Sequence, residues 1–315
     1  MFGDDAGMRI FTGNANPALA NKIASYLGTT LGDIEIRRFP DGEIFVKIRE
    51  NIRGQDVFVI QPTCSPPNEN LMELLIIIDA MRRASANRIV AVMPFYGYAR
   101  QDRKDQPRVP ITAKLVANLL VAAGTDRLLA MDLHAQQIQG FFDIPVDHLY
   151  SAPVMVKHVR ARQYNRPVVV APDVGGVKVA YAYSQMLECG LAIVAKQRKN
   201  ATEVEALTVV GDVAGCTAIM VDDLTTTAGT LTAAARLLKQ NGAAAIVGVV
   251  THATITAEGL ARLRASDISE LVVTDTVPMV KDPGFPVTVL SVSELLGEAI
   301  RRISDNQSVT SLFRL

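Results

Sequence analysis

Short apolar runs, each followed by a polar loop and then a helical pattern, recur along almost the whole chain. This rhythm limits the fold more than any other feature. From Asp56 it is regular: a strand is predicted at Val57–Gln61, a helix at Asn68–Ala84, a strand at Arg88–Met93, a helix at Thr112–Ala123 and a strand at Leu128–Asp132. Strand and helix in alternation imply a parallel sheet with helices on both faces. The runs Val57–Ile60, Leu74–Ile78 and Val168–Ala171 are unbroken rather than alternating, the pattern of strands buried on both sides. Upstream, Arg9–Gly13 reads as a strand and Asn16–Leu27 as a helix opened by Pro17. Phe39–Glu43 reads as a turn before the alternating Ile44, Val46 and Ile48.

A helix and a basic turn between Tyr150 and Pro167 interrupt the rhythm, which then restarts. Strands are predicted at Val168–Ala171, Leu191–Ala195, Thr217–Val221 and Ala245–Val250, with helices at Gly176–Leu187 and Thr230–Asn241. The 315 residues allow about two domains of ~150 residues each. The expectation is two similar α/β domains, 1–150 and 151–315, each a mainly parallel sheet flanked by helices. The final helix is expected to pack back on the first domain.

Hydrophobic residues make up 49% and charged residues 20%, too apolar for a disordered chain. The 32 Lys and Arg balance the 32 Asp and Glu, so no overall field draws the chain to nucleic acid or to an anionic membrane. Any anionic ligand must be held by local groups. No apolar run reaches the ~18 residues of a membrane span, and the first residues carry no secretory pattern. Three scattered cysteines, Cys64, Cys189 and Cys216, argue against a disulfide framework. A cytoplasmic protein without nucleic-acid or membrane partners is expected.

The segment Cys216 to Ala235 carries the most chemistry. An apolar strand ends in Asp222-Asp223, a loop of Thr and small residues follows, and a helix starts near Thr230. Ligands of open α/β sheets bind beyond the carboxyl ends of strands. Backbone N–H groups at such a helix start suit a phosphate, with Gly229 allowing close approach. Two carboxylates beside a phosphate cradle fit a sugar phosphate with vicinal hydroxyls, with or without a metal. The plainer alternative is an acid pair with Thr helix caps.

Other segments are weaker alone. Asp132 and His134, at i and i+2 on a strand end, are expected on one face, where they could hold a metal or its water shell, or form a simple salt bridge. Asp173, beside Gly175-Gly176, is a second acid at a strand end. Lys196 and Arg198 share one side at the start of a polar stretch, Asn200–Glu205, that reads either as a flap closing over phosphate charge or as a solvated charge run. The loop Tyr98–Lys104 is basic and long enough to contact a nucleotide. Phe39, beside Asp41, Gly42 and Glu43, could stack on a base. Walker, GxGxxG, HExxH and GxSxG motifs are all absent, which removes the common nucleotide, dinucleotide, zinc-protease and hydrolase readings.

Together these segments resemble class I ribose-phosphate pyrophosphokinases, from Gly13-Asn-Ala-Asn-Pro17 to Ser308–Phe313. The most specific stretches are Tyr98–Lys104, Met131–Pro145 through Leu149, Pro172–Gly176 and Lys196–Lys199. The resemblance implies two phosphoribosyltransferase-like domains and transfer of the β,γ-pyrophosphoryl group of MgATP to the C1 hydroxyl of ribose 5-phosphate. It implies that Asp222 and Asp223 bind the ribose hydroxyls and that Thr226, Thr227, Ala228, Gly229 and Thr230 wrap the 5-phosphate. Lys196 and Arg198 would be catalytic, and His134 and Asp173 would hold Mg²⁺. Arg100 and Gln101 would contact ATP, with Phe39, Asp41, Gly42 and Glu43 reaching the base from a neighbouring subunit of a homo-oligomer, typically a hexamer. Arg53, Ser85, Ser308 and Phe313 match regulatory positions for phosphate or ADP.

Two departures stand out. The family loop usually reads Asp-Asp-x-x-Asp-Thr-x-Gly-Thr, and here Thr226 replaces the third acid. A hydroxyl there can still donate to a phosphate oxygen, and losing a negative charge beside a phosphate need not weaken binding. Asn51 and Gln106-Pro107 replace the usual Ser and Lys-Ser types, so weaker phosphate activation or ADP inhibition is expected. Two other readings compete. A regulatory, catalytically impaired paralogue would be marked by an interrupted flap, but this flap keeps Lys196 and Arg198. A phosphoribosyltransferase would have one domain and lack the Arg100-Gln101 and His134 segments.

Overall fold

The computed structural model describes residues 7–197 and 206–312, without the side chains of 196–197 and 206–207. Lys196 is therefore described by its backbone alone. Arg198, the polar stretch 200–205 and Phe313 lie outside the described residues. The chain divides into two compact units, one holding the residues up to Tyr150 and those from Val292, the other Ser151–Ser291.

In the first unit, five parallel strands stand in the order β1 (Met8–Thr12), β4 (Asp56–Ile60), β5 (Arg88–Met93), β6 (Arg127–Met131) and β7 (Val146–Leu149). A separate antiparallel hairpin joins β2 (Ile34–Arg38) to β3 (Ile44–Ile48). Successive side chains of a strand point to opposite faces, and both faces here are covered. Val57 and Val59 of β4 enter one core with α2 (Pro67–Arg83) and α3 (Thr112–Ala123). Phe58 and Ile60 enter the other with α1 (Pro17–Tyr26) and α8 (Ser293–Ser304). That double burial explains the unbroken apolar run.

Leu74–Ile78 is the exception among those runs. It lies inside α2, with Leu74, Ile77 and Ile78 buried at helical spacing. A short apolar run alone does not separate a buried strand from a buried helix.

The second unit is a seven-stranded sheet in the order β10 (Ala206–Val210), β9 (Gly190–Gln197), β8 (Pro167–Ala171), β11 (Thr217–Thr225), β12 (Ala245–Ala253), β13 (Glu270–Thr274) and β14 (Val287–Leu290). Only β10 is antiparallel. Ile219 and Val221 of β11 pack with α4 (Ala152–Ala161) and α5 (Val177–Leu187), while Ala218 and Met220 pack with α6 (Gly229–Gln240) and α7 (Ala257–Arg264). Between β8 and β11 the strand order reverses direction. Such a switch point opens a crevice at the carboxyl ends of the two strands, the usual ligand position in open α/β sheets.

Candidate active site

Both strands flanking the switch point carry acids near or just beyond their carboxyl ends. β8 is followed by the exposed Asp173, whose Oδ1 accepts the N–H groups of Gly175 and Gly176 at 2.8 and 3.1 Å. β11 carries Asp222 and Asp223, and it runs on to Thr225 rather than ending at the acids. The ladder to β12 pairs Asp222 with Val250 and resumes at Leu224, so the acids lie within the strand. Asp222 Oδ1 accepts the N–H of Asp223 at 3.0 Å. Burial first, then the charge of Asp223 and that of Asp173, push the Asp222 carboxyl up to about 8. Three acids crowded at a strand edge oppose one another's charge. Sugar hydroxyls or a cation would relieve that opposition.

Beyond Thr225 the loop turns directly into α6. Ala228, not Gly229, takes the left-handed conformation, with φ of 53°. It supplies no side-chain cap to α6, so the first-turn N–H groups of the helix face outward for a ligand. Helix α7 and the segment before it back this loop. Thr226 Oγ1 lies 2.9 Å from Thr254 Oγ1, Thr256 N donates to the Thr226 carbonyl at 3.0 Å, and Arg262 Nη1 donates to the Thr227 carbonyl at 3.2 Å. Lys196 stands near the end of β9, the strand beside β8.

In the first unit, Arg100, Gln101 and His134 are brought together. They line a cavity of about 440 Å³ together with Asp102, Arg103, Asp105 and Pro110. Gln101 is held by Thr112, whose hydroxyl donates to its side-chain oxygen. Gln137 Nε2 donates to Asp102 Oδ2 at 3.0 Å, tying the His134 segment to the basic loop. The strand argument for Asp132 and His134 does not hold, however. β6 ends at Met131 and Asp132 has φ of 40°, so the alternation of faces stops before these residues.

The turn Phe39–Glu43 closes the β2–β3 hairpin. Phe39 N donates to the Glu43 carbonyl at 2.9 Å, and Asp41 Oδ1 accepts from Glu43 N at 3.2 Å. The Phe39 ring is 40% exposed, and Arg37 sits 5.1 Å from its centroid. None of Phe39, Asp41, Gly42 and Glu43 lines the cavity of Arg100 and His134. Arg53 and Ser85 are neighbours: Gly54 N donates to the Ser85 carbonyl at 2.9 Å. Ser308 lies after α8, its carbonyl accepting from Arg302 Nη1 at 3.2 Å.

Sequence reasoning passed over the second tier of these sites. His148 of β7 accepts the N–H of Leu133 at 2.9 Å and so fixes the segment that carries His134. Thr254, Gly259 and Arg262 shape the loop after β11. Only the recurrence of polar residues at the end of a buried strand, Thr251-His252-Ala253-Thr254, could have hinted at them.

A family model described as the N-terminal domain of ribose phosphate pyrophosphokinase matches residues 8–124, and one described as the phosphoribosyl synthetase-associated domain matches residues 198–314. A ribose-phosphate pyrophosphokinase of Gloeobacter violaceus is 52% identical over 98% of this chain and 94% of its own length. Ribose-phosphate pyrophosphokinase 1 of Spinacia oleracea is 51% identical over 99% of this chain and 94% of its own. The crystal structure of phosphoribosylpyrophosphate synthetase from Mycobacterium smegmatis matches with a TM-score of 0.90 and 42% identity, covering 95% of this chain and 99% of that one. With acids at a switch point beside an anion-ready helix start, and with relatives this similar along almost the whole length, the chain belongs to the ribose-phosphate pyrophosphokinase family.

Proposed function

We propose that the chain transfers the pyrophosphoryl group of ATP to the C1 hydroxyl of ribose 5-phosphate, giving phosphoribosyl pyrophosphate and AMP. The observation that carries this reading is the pairing of Asp222 and Asp223 with the uncapped start of α6. Carboxylates accept hydrogen bonds from vicinal hydroxyls, and helix-start N–H groups donate to a phosphate. One ligand that needs both within a few ångströms is a sugar phosphate.

In the reaction the C1 oxygen bonds to the β-phosphorus while the α,β-bridging oxygen leaves with AMP. Such transfers depend on in-line positioning and on neutralising the moving charge. Asp222 and Asp223 orient the sugar, and the loop from Thr226 to Thr230 fixes its 5-phosphate. Lys196 and Arg198 supply positive charge to the group in transit. Arg100 and Gln101 hold ATP.

The donors present suit Mg²⁺. Among the described residues no group of three or more His, Cys, Asp or Glu forms a cage for a metal. Mg²⁺ is ordinarily held by one or two carboxylates together with waters and substrate phosphates. In the second unit the exposed Asp173 offers such a carboxylate, and in the first His134 offers an imidazole that would hold an ion directly or through its water. When bound, the ion supplies charge neutralisation to the phosphates.

The hairpin turn, standing apart from the cavity residues, fits a role towards the base in a neighbouring subunit of a homo-oligomer, typically a hexamer; sedimentation tests that assembly. No helix among the described residues is long and apolar enough to cross a membrane. The decisive experiment is ³¹P NMR of the purified protein with ribose 5-phosphate, ATP and Mg²⁺. AMP and a sugar-linked pyrophosphate should appear together. ATP left intact with ribose 5-phosphate bound would sink the catalytic reading and restore that of a regulatory paralogue.

A further inference from the structure

We infer that the Thr226 side chain is a tether rather than a phosphate ligand, and that Thr254 is a positioning residue for the phosphate loop. This rests on the reading of that loop as the ribose 5-phosphate site. A threonine hydroxyl has a single proton to donate. Thr254 Oγ1 donates to the Thr225 carbonyl at 3.1 Å, and it also lies 2.9 Å from Thr226 Oγ1. Both bonds exist together only if Thr226 is the donor in the second. Its proton is then directed at Thr254, and it has none left for a phosphate oxygen, which only accepts.

The same segment takes the next two carbonyls. The Thr226 carbonyl accepts from Thr256 N at 3.0 Å and from Thr256 Oγ1 at 3.4 Å, and the Thr227 carbonyl accepts from Arg262 Nη1 at 3.2 Å. Three successive carbonyls, of Thr225, Thr226 and Thr227, are therefore bound by the segment from Thr254 to Arg262. In a planar trans peptide the C=O and the following N–H point in opposite directions. Holding these carbonyls on one side turns the N–H groups of Thr226, Thr227 and Ala228 to the other. Successive N–H groups arranged in this way form an anion-binding nest. The Thr254 hydroxyl thus acts on the phosphate through the backbone, and the replacement of an acid by Thr226 removes a charge while adding a fastener.

The test compares Thr226→Val, Thr254→Val and the double variant, with Thr254→Ser as the variant that returns the hydroxyl. Ribose 5-phosphate binding is measured by calorimetry and turnover by steady-state kinetics on the full chain. Thr226→Val should raise the ribose 5-phosphate Kd and KM by about five- to tenfold, the effect of one lost hydrogen bond, and Thr254→Val, which loses two, by at least as much. ATP KM and kcat should stay within about twofold, since the tether acts on the sugar phosphate alone. The double variant should be no worse than Thr254→Val, which already breaks both the bond to Thr226 and that to the Thr225 carbonyl, and Thr254→Ser should recover the wild-type KM. A loss on Thr226→Val with no loss on Thr254→Val would make Thr226 a direct ligand and overturn the inference. Unchanged binding in both would overturn it too. A wild-type protein that binds no ribose 5-phosphate would fail the underlying reading itself, and the inference with it.

Discussion

The backbone N–H of Leu133 donates to Nε2 of His148 at 2.9 Å. Both residues are buried, at 6% and 4% exposure, and the bond joins the segment after β6 to strand β7. It fixes the chain one residue before His134, just where the left-handed Asp132 has ended the strand. Removing the acceptor leaves a buried N–H without a partner, which costs about 1–3 kcal/mol. His148→Phe should therefore lower the melting temperature by several degrees in calorimetry. A variant melting within about 1 °C of wild type would refute the role.

Asp222 makes stability depend on pH. Folding raises its carboxyl from 3.8 to about 8, through burial first and then the charges of Asp223 and Asp173. Such a group keeps a proton that the unfolded chain has released. It favours the fold fully below the unfolded value and loses that contribution as pH climbs to about 8. Asp222→Asn removes the titration. Its melting temperature should exceed that of wild type by a margin that widens from pH 4 to pH 8 and is flat above, while kcat/KM for ribose 5-phosphate falls about 10- to 100-fold. A margin independent of pH would show that the carboxyl is not crowded as described.

Gly259 is the close approach of α7 to the phosphate loop. A Cβ there would stand 2.5 Å from the Thr226 carbonyl oxygen and 2.9 Å from Ile255 Cγ2. Gly259→Ala must push the loop, at a cost of about 1–3 kcal/mol. In kinetics it should raise the ribose 5-phosphate KM more than the ATP KM. Equal changes in both would argue against a specific effect on the loop.

Lys196 stands near the end of β9, beside β8 with its Asp173. Lys196→Ala should lower kcat about 10²-fold or more, as expected for deleting one donor to the transition state. A loss of less than about fivefold in steady-state kinetics would remove it from catalysis.

The chain order alone determined the strand–helix rhythm, because burial on both faces demands unbroken apolar strands such as Val57–Ile60. It also located the acids and the threonine loop after a strand, where local chemistry is enough to suggest a sugar phosphate. The run Leu74–Ile78 taken alone reads as a buried strand, since four or five apolar residues fit a strand as well as a helix, and only the longer pattern over Asn68–Ala84 gives the helix that α2 is. Periodicity failed at Asp132, where a single left-handed residue ended the alternation that would have put it on one face with His134. Only the tertiary structure decided that β8 and β11 are neighbours at a switch point, which brings Asp173 to bear on Asp222. Strand neighbours are chosen by packing across the whole sheet, and no local signal records them. The direction of the Thr226 hydroxyl was likewise hidden, because it depends on a proton that Thr254, just past the end of β12, commits to the Thr225 carbonyl.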